Sequence, residues 1–391
     1  MDAGTSSTST RSTAGHRLYR KQNLQSARIH FKKNEPAPPE VLELQAMLFN
    51  TEGISLPLNI RYQSASLESI AQGLQPGPEK ARYEACLQSA QEIKSSLDRH
   101  DSDAAEEMWM KVNDQVVQIL MDGDDFEEML VLSSMCIRIR TATDPNPVTN
   151  ILSPRVSWDV DIRPQGKPTT PLGIARPDRG FGFAPSADEQ DPLSWETLDA
   201  LRSDPKTRLI FSPQRVPELI FPFCVYEAKS AIEGTLMFAE NQAAVGAATA
   251  AAIFSELAEL SKAAGPLDTA GSSALVPSSV PPVLMLASMG SNWTMHACFT
   301  QDIGGCDAYH IYPIMPSIDL MNKIDLFTFQ VVLSRIRDYA LSVVKPWLRE
   351  QLAQLVFHEN VRETVDERLA VTDIGIQTRS RRSTADEALE S

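Results

Sequence analysis

Several things are scarce or missing in this chain, and each absence narrows what it can be. Five cysteines, Cys86, Cys136, Cys224, Cys298 and Cys306, are spread over 391 residues without a C-x-x-C pair or a Cys/His cluster. Neither a disulfide framework nor a structural zinc site is expected, and a reduced intracellular setting, nucleus or cytoplasm, is. No uninterrupted run of about 18 apolar residues occurs, so no membrane partner is expected. The opening MDAGTSSTSTRSTAGHRLYRKQ lacks the apolar centre of a secretory signal. Its Ser, Thr and Arg content is that of a transit peptide, but Asp2 and the want of an amphipathic apolar face weigh against one. There is no G-x-x-x-x-G-K, G-x-S-x-G or HExxH and no internal repeat, which removes the usual NTPase, hydrolase and zincin readings. Basic charge is also short: 36 Lys and Arg face 51 Asp and Glu, a net charge of −15. That speaks against a general nucleic-acid coat protein, because phosphate binding depends on Lys and Arg.

What is present is a globular composition, 42% hydrophobic, in a chain long enough to bury a sizeable core. The charge is unevenly spread. Residues 1–33 carry a net +6, residues 34–134 a net −13, residues 135–230 none, and residues 231–391 a net −8. The neutral block holds arginines such as Arg138, Arg140, Arg176 and Arg179, which suit either an ordinary solvated surface or a rim for a polyanion.

Residues 1–38, polar and closing on NEPAPPE, are expected to be a disordered basic tail. A single domain is expected over 39–358 with its core at about 100–350, and a loose tail over 359–391. Helices are expected at EVLELQAMLFN, at about 80–98, and at DAAEEMWMKVNDQVVQILM, where Trp109, Val112, Val116 and Leu120 recur at helical spacing. Met135–Ala142 alternates as a half-buried strand. The Pro-rich stretch that follows contains one strand-like island, GIARPDRGFGFAP. A continuous apolar strand, an Ala-rich helix from AENQAAVG, three strands (VLMLASMG, WTMHACFTQ, AYHIYPIM) and a closing helix bent or broken at Pro346 complete the order. The expected fold is α/β: a mixed central sheet flanked by helices and entered through a helical N-terminal section.

The strand FPFCVYEAKS, Phe221 to Ser230, is apolar on both faces until it ends on Glu227 and Lys229. Period two puts those two side chains on one face at the rim of a core, where charges are costly unless paired or bound to something. RPDRGFGFA followed by FPFCVYEAKS resembles the PD-(D/E)xK motif of the restriction-endonuclease-like nucleases, and the order of flanking elements is similar to the fungal proteins described as PD-(D/E)xK nuclease-like. EEMWMKVN, with Glu106, Trp109 and Asn113, is a loose counterpart of the helix that precedes the core in that group. The resemblance implies a restriction-endonuclease-like sheet and a nuclease hydrolysing phosphodiester bonds of nucleic acid, DNA before RNA. It implies Mg2+ or Mn2+ held by Asp178, Glu227, the carbonyl of Ala228 and, from the preceding helix, Glu106. Lys229 would activate the water or steady the charge of the transition state, and Gln242 would contact water or phosphate.

Ordinary explanations stand beside these. Gln242 and Glu106 also suit the first turn of a helix, and His296 and His310 read as core or edge histidines. Asp178 precedes Glu227 by 49 residues, which requires DEQDPLSWETLDALRSDPKTRLIFSPQ to be a surface insertion, tolerable because closure cost grows slowly with length. Otherwise Asp204 or Asp199 is the acid that joins Glu227. The alternative function is a catalytically inactive nuclease fold serving as a binding or scaffold module, with Glu227 and Lys229 as a structural ion pair.

Overall fold

A strand that is apolar on both faces needs cover on both, and the architecture supplies it. In a computed structural model of the chain, residues 17, 19–33, 35–51, 54–55, 80–99, 106–120, 129–133, 177–205, 207–212, 219–229, 235–264, 279–303 and 307–356 are described. They form β1 (Ile29–Phe31), α1 (Pro39–Phe49), a small pair β2 (Asn50–Thr51) and β3 (Ile54–Ser55), α2 (Lys80–Leu97), α3 (Glu106–Gln118), β4 (Met129–Ser133) and β5 (Arg179–Phe183). Then follow α4 (Trp195–Ser203), β6 (Ile220–Lys229), α5 (Leu236–Ala264), β7 (Val283–Met289), β8 (Asn292–Asp302), β9 (Asp307–Asp319), α6 (Lys323–Tyr339) and α7 (Lys345–Val356). The strands β4 to β9 make a six-stranded mixed sheet, extended to seven by β1, in the order β1-β9-β8-β7-β6-β5-β4. β6 pairs with β7 and β1 with β9 in parallel; the other neighbours are antiparallel. The fold is α/β with helices on both faces.

β6 shows why. On one face Phe221 meets Phe254 of α5 edge-on, and Gly246 of α5 lies over Val225. On the other face Tyr226 stacks on Trp293 at 4.8 Å between ring centres, and Trp293 leans on Phe329 of α6. α5 approaches the sheet closely because its inner face is built from Ala243, Ala244, Gly246, Ala247 and Ala250. Its length and composition are those of a membrane-crossing helix, and most of that stretch is buried here, as in the core helix of a folded domain. α7 covers its outer side through Trp347, which stacks on Phe254. On the opposite face α6 holds the preceding helices with buried polar groups. Arg335 donates to the Leu48 carbonyl at the end of α1 and to the Tyr83 hydroxyl of α2. Gln330 donates to the Val116 carbonyl of α3 and accepts from Ser89 of α2.

The structure departs from the expectations in several places. Residues 19–33 do not belong to a disordered tail: Tyr19–Leu24 is a helical turn and Ile29–Phe31 adds a parallel strand to β9. Apolar Tyr19, Leu24 and Ile29 are buried there, and a strand edge far along the chain is a partner that local composition does not reveal. The presumed insertion after β5 contains α4, capped by Ser194, whose Oγ accepts from Thr197 N at 3.3 Å. The expected strand at Met135–Ala142 lies outside the described residues, where the strand that is described, β4, ends just before it. Pro346 does not break the closing helix outright. It sits at the second position of α7, after a widened turn, Ala340–Val344, that absorbs its missing N–H. Cys86, Cys224 and Cys298 are buried, while Cys136 and Cys306 lie outside the described residues.

Candidate functional site

The site is assembled where β5 enters the sheet and β6 leaves it. Arg179 is paired with Tyr226 across the antiparallel β5–β6 ladder, so Asp178, one residue earlier, falls opposite Glu227. Directly opposed residues of an antiparallel pair share a face. The Ala228 N–H donates to Asp178 Oδ2 at 2.7 Å, which fixes the Asp178 carboxylate against the β6 backbone next to Glu227. The Lys229 carbonyl accepts from Gly290 N on the β7 side at 3.2 Å. Successive residues of a strand turn their backbone groups to opposite neighbours, so the Ala228 carbonyl faces the β5 side, where Asp178 stands. Three oxygen-bearing groups, the Asp178 and Glu227 carboxylates and the Ala228 carbonyl, thus stand at one end of two paired strands.

Glu227 is 1% exposed and ion-paired with Lys229. Lys229 is more open, and its ammonium lies 5.3 Å from the centre of the Phe238 ring at the start of α5. Phe238, Gln242 and Gly246 form one stripe along α5, at i, i+4 and i+8. The first of these touches Lys229 and the last touches Val225 and Pro177. Gln242, midway, therefore lies over Glu227. Its Oε1 is buried and, among the described residues, has no hydrogen-bond partner. An orphaned acceptor above two carboxylates and a backbone carbonyl is a place for a water or a metal-bound donor. Asp178, Glu227 and the Ala228 carbonyl are oxygen donors of the type a hard divalent cation takes, while among the described residues no three His, Cys, Asp and Glu side chains gather as a metal group.

The other expected positions fall as follows. Asp199 is on α4 and pairs with Arg202. Asp204 ends that helix and accepts from Thr207 N at 2.9 Å and from its hydroxyl. Neither is in register with Glu227, so Asp178 is the acid that meets it. Glu106 opens α3 on the opposite face of the sheet, and its side chain lies outside the described residues. Trp109 and Asn113 are buried in that helix. Arg179 is turned to the α3 side and ion-paired with Asp114. Burial pushes the Asp114 carboxyl up, against the opposing pull of Arg179. Arg138, Arg140 and Arg176 lie outside the described residues.

A second polar cluster went unread in the sequence. Glu240, 5% exposed, accepts from Arg20 Nη2 at 2.8 Å and faces His296 Nε2 at 3.8 Å. Arg20 also donates to Asn241 Oδ1 at 2.7 Å and lies over the Phe31 ring. Phe31 in turn meets the His296 ring edge-on. Burial drives His296 down to about 4, against the pull of Glu240, so the imidazole is neutral. The core reading of both histidines agrees with their burial. Glu240 and Arg20 are 220 residues apart, and nothing in either neighbourhood signals the other.

Compared with known proteins, the chain matches no family model, no curated sequence and no solved structure.

Proposed function

We propose that this chain is a metal-dependent nuclease of the PD-(D/E)xK kind on a restriction-endonuclease-like sheet, hydrolysing phosphodiester bonds of DNA. The observation that carries the reading is the Ala228 N–H to Asp178 bond, which brings an acid 49 residues upstream of Glu227 to the place opposite it. Asp178, Glu227 and the Ala228 carbonyl would hold Mg2+ or Mn2+, which supplies Lewis acidity toward water and the phosphoryl oxygens. Lys229 shares the face of Glu227 at the open end of the strand, placed to orient the attacking water, take its proton and offset charge on the phosphoryl oxygens. Phe238 confines the ammonium from the helix side. Gln242 offers its unpartnered Oε1 to a water over Glu227.

The test is cleavage of a panel of duplex, single-stranded and RNA substrates with Mg2+ or Mn2+, by the parent chain and by Asp178→Asn and Lys229→Met. Metal-dependent cleavage of DNA lost in both variants is expected. A parent that cleaves nothing with either metal overturns the reading.

One observation favours a second reading, a nuclease-like fold kept as a binding or scaffold module: the Glu227–Lys229 pair is already closed around a nearly inaccessible carboxylate. A structural pair of that kind requires no metal.

A further inference from the structure

A polyanion approaching an acidic site needs cations beside it. Among the described arginines expected to provide them, Arg179 is turned away to Asp114. A different basic stretch packs on the first turns of α5, the helix that also covers the site. Arg20 bonds Glu240 and Asn241 in the first turns of α5, and Lys33 Nζ stands 4.0 Å from the same Glu240 carboxylate. Glu240, two residues from Phe238 and from Gln242, turns to the other side of α5, toward His296 of β8, while those two turn toward β6. The N-terminal segment thus meets α5 at the same level along the helix axis as the proposed site, across the width of the helix from it. Arg17 and Lys21 are exposed, and Lys33 is 56% exposed. The acids nearby are already engaged: Glu240 by Arg20, and Glu35 by Lys32. In a chain of net charge −15 this is a local excess of positive charge.

We infer that the segment from Arg17 to Lys33 is the surface on which the phosphodiester backbone of DNA docks beside the site, with Lys21 and Lys33 presented to the phosphates. The choice of DNA rests on the nuclease reading; the surface itself rests on the Arg20–Glu240 anchor and the exposure of its neighbours. Buried Glu240 has a structural role, fixing the segment to α5 through Arg20, while Lys21 and Lys33, the latter at the outer limit of contact with Glu240, keep exposed ammonium groups for the ligand.

Binding is read separately from cleavage by fluorescence anisotropy of a labelled DNA duplex titrated with the full chain in EDTA, at low and high salt. The parent binds, and Lys21→Glu/Lys33→Glu binds about 10-fold more weakly or worse, with a salt slope shallower by about two. Lys21→Gln/Lys33→Gln shows a smaller loss in the same direction and serves if charge reversal disturbs folding, which thermal melts report. Lys323→Glu, an exposed lysine at the start of α6, keeps parental binding. Parental affinity in the double variants, an equal loss in Lys323→Glu, or preference for RNA or anionic vesicles over DNA overturns the inference. Parent chain that cleaves DNA while the double variants bind normally removes the docking surface and leaves the nuclease. DNA binding lost in those variants, with no cleavage by the parent, does the reverse.

Discussion

At the scale of single residues, Glu227 and Lys229 carry the largest consequence. Their pairing inside a largely apolar environment is costly to maintain, and removing one partner of a buried pair strands the other. Glu227→Gln keeps the shape of the side chain and leaves only the more accessible Lys229 without its counter-charge. It is expected to lose cleavage by about 100-fold or more and to abolish any rise in melting temperature produced by Mg2+. Lys229→Met is expected to lose cleavage while the Mg2+-dependent rise remains. Loss of about 3 to 5 kcal/mol in both variants, with no Mg2+ effect on the parent, is instead the behaviour of a structural ion pair. His296 supplies a pH signature independent of catalysis. Its folded value of about 4 lies below the ordinary 6.5, so the unfolded chain binds the extra proton in that interval. The contribution is complete above 6.5 and declines as pH falls toward 4, by about 3 kcal/mol in all. Denaturant melts of His296→Gln across this window are expected to show a shallower slope, by up to about 1.4 kcal/mol per pH unit; an unchanged slope removes His296 as the source.

At the scale of elements, two glycines show how one substitution takes its sign from what surrounds it. Gly182 lies at an irregularity of the β5–β6 ladder, where a Cβ would come within 2.6 Å of the Ile220 carbonyl oxygen, a backbone atom with little room to move. Phe221 beside it already holds φ at 44°, in the left-handed region that a bulky residue seldom occupies. Gly182→Ala is expected to cost about 1 to 3 kcal/mol by overpacking. Gly246 is in the interior of α5, and a Cβ there would meet Val225 and Pro177 at 3.7 and 3.8 Å, ordinary contact distances. Gly246→Ala is expected to gain about 1 kcal/mol from helix propensity and the added methyl contact. Chemical denaturation of both variants checks the pair: equal effects would show that local crowding does not decide the sign. The same close approach of α5 to the sheet lets Phe238 and Gln242 reach the end of β6.

At the scale of the whole molecule, the N-terminal segment closes the sheet. β1 covers the outer edge of β9, a strand of 13 residues, and Arg20 neutralises buried Glu240. Deleting residues 1–33 is expected to lower the melting temperature and to promote self-association through the exposed β9 edge, because an uncovered strand offers a row of unpaired backbone groups. Light scattering and thermal melts against the full chain measure both effects. A truncated chain with unchanged melting and no association would show that the segment is only an appendage.

The sequence by itself determined the α/β class, the doubly apolar β6 with its terminal Glu227 and Lys229, the Ala-rich α5 and the three strands after it. Each of these is written in a local period or composition, and both charged side chains of β6 are set on one face by the alternation of a single strand. The upstream acid was legible only as a choice among Asp178, Asp199 and Asp204. It took the β5–β6 register to set Asp178 opposite Glu227 and to leave Asp199 and Asp204 with α4. α4 itself was hidden in a Pro-rich stretch whose cap, Ser194, is one serine among many. β1 and the Arg20–Glu240 anchor were hidden more completely. A three-residue strand and a single ion pair have no period to detect, and their partners lie hundreds of residues away along the chain. Contacts of that kind come into being only when the chain closes on itself, so tertiary structure alone decided them.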